Sequence, residues 1–113
     1  MTPGRNIAIK VPAHLWDETV AFYRDRVGLT VSRVLEASVG FGFGDMTLWI
    51  DRVPHQSRGD VWLELFADAP GAALAALGSP QRDGLEPLTG VTGHWTSDPA
   101  GTVILLRRND REG

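Results

Sequence analysis

Two stretches of the chain, "NIAIKV" (Asn6 to Val11) and "DVWLEL" (Asp60 to Leu65), carry the same alternation of residue types. In the first, Ile7, Ile9 and Val11 fall on one side and Asn6, Ala8 and Lys10 on the other. In the second, Val61, Leu63 and Leu65 take the packed register and Asp60, Trp62 and Glu64 the opposite one. A period of two with one apolar face is the signature of a half-buried strand. Its recurrence after about 50 residues points to two pseudo-equivalent modules sharing one core. A chain of 113 residues is long enough to bury that core as a single domain, residues 1–113.

The segments between fill out the repeat. "HLWDETVAFYRDRV", His14 to Val27, has apolar residues at Leu15 or Trp16, Val20, Tyr23 and Val27, one helical stripe. Asp17 and Glu18 suit its N-terminal end, Arg24 and Arg26 its C-terminal end, and Gly28 is placed to cap it. Strands are expected at "LTVSRVLE", "ASVGFGF" and "MTLWID". A polar linker, about 54–59, separates module one (about 5–53) from module two (about 60–108). There a second helix is expected in "DAPGAALAALG", with proline in its first turn and a glycine stop, then strands at "LEPL", "GHWTS" and "TVILLRR". The fold class is α+β: strand, helix, three strands, twice. "DPAG", Asp98 to Gly101, has the residues of a type I turn joining the last two strands.

Composition removes several function classes. There is no cysteine, so disulfides, thiolate-ligated zinc and a thiol nucleophile are excluded. A net charge of −3 with scattered basic groups offers no footprint for nucleic acid or an anionic membrane. "MTPGRNIAIKV" has neither the charged start nor the apolar run of a secretory signal, and no stretch approaches spanning length, so a cytoplasmic protein is expected. Lys10 is the sole lysine.

With "FYRDRVGL" in the first module, "DPAGTVILL" in the second and the doubled element order, the chain resembles the vicinal oxygen chelate superfamily of glyoxalases, extradiol dioxygenases and bleomycin-resistance proteins, from Asn6 to Arg107. The resemblance implies two βαβββ modules curving around a cavity with helices outside, and frequently a homodimer. It also implies four metal-ligand positions, which fall here on Asn6, Leu48, Asp60 and Leu105. Two of those are leucines, and an aliphatic side chain gives a divalent cation nothing. A register slip on the last strand offers only Ile104 or Leu106. On the fourth strand it offers Thr47 or Trp49, with Asp51 further on. No catalytic metal and no other cofactor are therefore expected.

The same register turns Ala8, Met46, Ile50, Trp62 and Val103 inward, with Lys10, Asp60, Glu64 and Arg107 toward the strand ends. Trp62 is the foremost ligand-binding candidate, since a broad indole face can stack on a planar molecule or attract a cation. Lys10 and Glu64 occupy equivalent places and could compensate each other if both point inward. Trp49, Phe22 and Tyr23 are expected on the helix-packed side. "GFGFG", Gly40 to Gly44, reads as a strand in which glycines permit close approach beside Phe41 and Phe43, against which a ligand could lie. Of His94 and Trp95, alternation lets only one face the cavity. The histidines His14, His55 and His94 lack the spacing of a helical zinc pair, and no catalytic constellation emerges.

Three function classes remain. One is a metal-independent binding protein that sequesters a planar or apolar small molecule, an antibiotic or a metabolite. The second is a lyase, isomerase or dioxygenase of the same superfamily, metal-dependent or using Asp60 or Glu64 as a base. The third is an interaction module whose cavity is filled by its own side chains.

Overall fold

A computed structural model describes residues 1–78, 80–83 and 85–109. The strands are β1 (Thr2–Val11), β2 (Val31–Val34), β3 (Ser38–Phe43), β4 (Met46–Arg52), β5 (Asp60–Phe66), β6 (Gly93–Ser97) and β7 (Val103–Arg107). The α-helices are α1 (Trp16–Ala21) and α2 (Pro70–Leu77). The chain divides into two compact units, Arg5–Trp62 and a second made of Met1–Gly4 with the chain from Leu63 onward. β1 and β5 each contribute residues to both.

In the Arg5–Trp62 unit the strand order is β2-β3-β4-β1, antiparallel from β2 to β4 and parallel between β4 and β1. Register decides which side chains meet. Ile7 pairs with Leu48 and Ile9 with Ile50, while Phe41 lies opposite Leu48 and Val39 opposite Ile50. These residues pack with Val11 at the end of β1, with Val20 of α1, and with Trp16 and Tyr23, into the apolar core. Phe41 and Ile50 are fully enclosed, and each such burial stabilises the fold by about 1.5–3 kcal/mol. The Trp16 indole donates to the Ile50 carbonyl at 3.0 Å, fastening the start of α1 to β4.

The expected helix from His14 to Val27 forms as three consecutive pieces: a tight turn at Ala13–Leu15, then α1, then a wide turn at Phe22–Arg26. In that wide turn the Val27 amide reaches back to the Phe22 carbonyl, five residues away. Such widening rotates every later side chain relative to the preceding stripe. Val27 is consequently 51% exposed, and Phe22, where the wide turn begins, is 50% exposed, against the expectation that both pack inward. Gly28, with φ of 84°, ends the segment as anticipated.

The unit containing Leu63 and beyond has strand order β5-β7-β6, with β5 and β7 parallel and β6 and β7 antiparallel. α2 runs as expected, from Pro70 in its first turn to Gly78 in the left-handed region. The strand expected at "LEPL" does not form; residues 85–88 are irregular. Pro87 has no N–H to give a ladder, and the Glu86 carbonyl accepts instead from the Trp95 indole at 2.9 Å. The turn at Asp98 is built as read. Asp98 Oδ1 accepts from the amides of Ala100 and Thr102, each at 2.9 Å, and the Gly101 amide donates to the Asp98 carbonyl at 3.0 Å.

Candidate functional site

Opposite the apolar core of the Arg5–Trp62 unit, β1 presents Asn6, Ala8 and Lys10, and β4 sets Thr47, Trp49 and Asp51 beside them in register. Leu48 and Ile50 stand on the other side, paired with Ile7 and Ile9. The expected inward placement of Leu48 is thus corrected by one residue, which exchanges the two faces of the strand. The cause is aliphatic matching: Leu48 and Ile50 complete a core that already holds Val20, Val39 and Phe41. Trp49, expected in that core, is instead half-buried on the Asn6 side. Phe41 is fully enclosed in the core, and Phe43, at the end of β3, is 45% exposed. Neither phenylalanine joins the Asn6 face.

The polar groups on this face hold one another. Trp49 Nε1 donates to Asn6 Oδ1 at 2.7 Å. Lys10, 3% exposed, places Nζ 2.7 Å from Asp51 Oδ2 and 4.3 Å from the centroid of a Trp62 ring. Trp62 Nε1 donates to Asp60 Oδ2 at 3.0 Å. Gly40 and Gly42 of β3 lie opposite Trp49 and Thr47. A methyl group on Gly40 would fall 3.0 Å from the Trp49 ring and 3.1 Å from Thr47 Cγ2, so Gly40 is the glycine of "GFGFG" that makes room for the indole. The sequence reading found the close approach but not its beneficiary.

In the second unit Glu64, Leu105 and Trp95 share a face, because Leu105 pairs with both of the others. Glu64 is 9% exposed and lies against the backbone of Gly4. An Arg107 guanidinium nitrogen stands 3.7 Å from Glu64 Oε2. His94 falls on the other side, opposite Leu106 and near Gly71 of α2, where an added methyl would meet His94 Nε2 at 3.8 Å. The alternation therefore resolves in favour of Trp95 on the Glu64 face.

A divalent cation does not fit these residues. Of the four positions implied by the resemblance, Leu105 is aliphatic, and the fourth strand offers Trp49 where Leu48 was expected. Asn6 and Asp60 each accept from an indole. Asp51, the remaining carboxylate on the β1 face, accepts from Lys10. Among the described residues no group of three or more His, Asp or Glu side chains could hold a metal. Among them, too, no helix is long and apolar enough to cross a membrane.

No protein-family model and no curated protein sequence matches the chain. Solved structures do. The Mn(II)-bound glyoxalase from Novosphingobium aromaticivorans superposes on 99% of this chain with a TM-score of 0.64 at 19% identity, and the chain spans 40% of that protein's length. A glyoxalase/bleomycin resistance protein/dioxygenase superfamily member from Vibrio splendidus 12B01 matches 90% of this chain and 96% of its own, with a TM-score of 0.56 and 12% identity. The H200N variant of homoprotocatechuate 2,3-dioxygenase from B. fuscum matches 96% of this chain over 32% of its own, with a TM-score of 0.62 and 16% identity. The repeated strand–helix–strand order, with three strands after the helix in the first module and, among the described residues, two in the second, the parallel closure of β4 on β1 and of β7 on β5, and these likenesses together give the chain the glyoxalase/bleomycin-resistance/dioxygenase fold.

Proposed function

We propose that the chain is a metal-independent binding protein that holds a planar or apolar small molecule, such as an antibiotic or metabolite, against the Trp49 and Trp62 side of β1. The observation that carries this reading is the use made of Asn6 and Asp60. At the positions where the resemblance expects metal donors, each gives an oxygen to an indole N–H. Two half-buried indoles with satisfied N–H groups present broad apolar area whose orientation is already fixed. Aromatic walls with a few polar groups between them are what recognition of small organic molecules requires. The enzyme alternative finds less support, since the carboxylates on this face are engaged with Lys10 and Trp62. Self-association into a homodimer belongs to the same proposal, and the molar mass in solution tests it.

Quenching of tryptophan fluorescence on titration with planar heteroaromatic compounds, in the presence of a chelator, tests the reading. Saturable quenching that Trp62→Ala removes is the expected result. A response that depends on added metal, or that survives Trp62→Ala unchanged, overturns it.

A further inference from the structure

An exposed indole attracts either flat neutral rings or cations, and the two demands select different ligands. Here Lys10 bears on the choice. Its ammonium sits over a Trp62 ring at 4.3 Å, within the range of a cation–π contact. Asp51 fixes it there from 2.7 Å. Both partners are within the enclosed part of the unit, with side chains 4% and 17% exposed, so solvent screens their charges less than at the surface. Trp62 is held in turn at its ring nitrogen by Asp60. The chain's sole lysine thus occupies the place a cationic ligand would take on this indole.

Building on the proposed function, we infer that Lys10 is a specificity-determining residue: as a tethered cation on Trp62 it excludes organic cations and reserves the indole for uncharged planar ligands. A second cation on the same ring face meets Lys10 directly. One on the opposite face meets a quadrupole already engaged and a like charge across the ring. An uncharged aromatic ring suffers neither penalty and retains the stacking surface.

Acridine in mildly alkaline buffer, where it is uncharged, and N-methylacridinium have nearly the same outline and differ in charge. Both are titrated against the wild-type protein by calorimetry and tryptophan quenching. Acridine is expected to bind at least about tenfold more tightly. The double variant Lys10→Met/Asp51→Asn, which removes the ion pair without leaving a lone buried charge, is expected to lose that preference or reverse it. Equal affinities for the wild type, or a wild-type preference for the cation, overturn the inference and leave the binding function standing. Binding of neither compound overturns both. A preference that persists in a folded double variant also overturns the role of Lys10. The wild-type comparison decides independently of whether the variant folds.

Discussion

The indole N–H of Trp49 donates to the amide oxygen of Asn6 across the parallel junction of β4 and β1, at 2.7 Å. Trp49→Phe removes the donor and leaves the Asn6 oxygen half-buried without it, a loss of about 1 kcal/mol. Urea denaturation is the check. Asn6→Ala is expected to cost a similar amount, and the two changes together less than their sum, because they remove one shared bond.

Breaking the Lys10 and Asp51 pair on one side has a larger effect. Lys10→Met leaves a largely enclosed carboxylate uncompensated, and the expected loss is about 3–5 kcal/mol. Adding Asp51→Asn to that variant recovers part of the loss. Thermal or urea unfolding of both variants, measured side by side, gives the recovery.

Two glycine substitutions are expected to move stability in opposite directions. A methyl on Gly93 would fall 2.6 Å from the Leu106 carbonyl oxygen and 2.9 Å from Arg107 Cα, so backbone must shift, and Gly93→Ala destabilises by about 1–3 kcal/mol. Gly71 lies within α2 and its added methyl meets only His94 Nε2, at an ordinary 3.8 Å. Gly71→Ala therefore stabilises by about 0.5–1 kcal/mol through helix propensity. Midpoints of urea unfolding read both.

Backbone amides in the β6–β7 turn, Thr102 foremost and then Ala100 and Gly101, hold the Asp98 carboxyl below the usual carboxylate range. A carboxyl with a lowered folded pKa contributes stability that is complete above its unfolded value of about 3.9 and is lost as pH falls through the folded one. The melting temperature of the wild type should exceed that of Asp98→Asn at neutral pH. The gap should close only in acid below about pH 4. A gap independent of pH down to full protonation would remove the charge from the account of this turn.

The sequence made some of this legible and hid the rest for identifiable reasons. Alternation in "NIAIKV" is unambiguous because polar and apolar residues separate cleanly, and its packed face is the one observed. "MTLWID" alternates Met46, Leu48 and Ile50 with Thr47, Trp49 and Asp51, so its period does mark the packed side; the misplacement of Leu48 came from carrying a ligand position onto it from the resemblance, against that alternation. What local pattern leaves out is the partner, since β1 pairs in parallel from about 40 residues away. The widened turn after α1 was hidden too, since nothing in "FYRDRV" distinguishes it from a regular helix. In "LEPL" the proline was a visible warning against a strand. The acceptor role of Glu86 toward Trp95 was not visible, because it depends on a tertiary contact.

The most direct measurement of the central claim is the affinity of an uncharged planar ligand for protein treated with a chelator, compared with the same protein after Mn(II) is added. Recognition through Trp62 and Trp49 predicts equal dissociation constants in the two states, and loss of binding in Trp62→Ala in both. Binding that appears only with the metal, accompanied by a stoichiometric ion retained through dialysis, would contradict it.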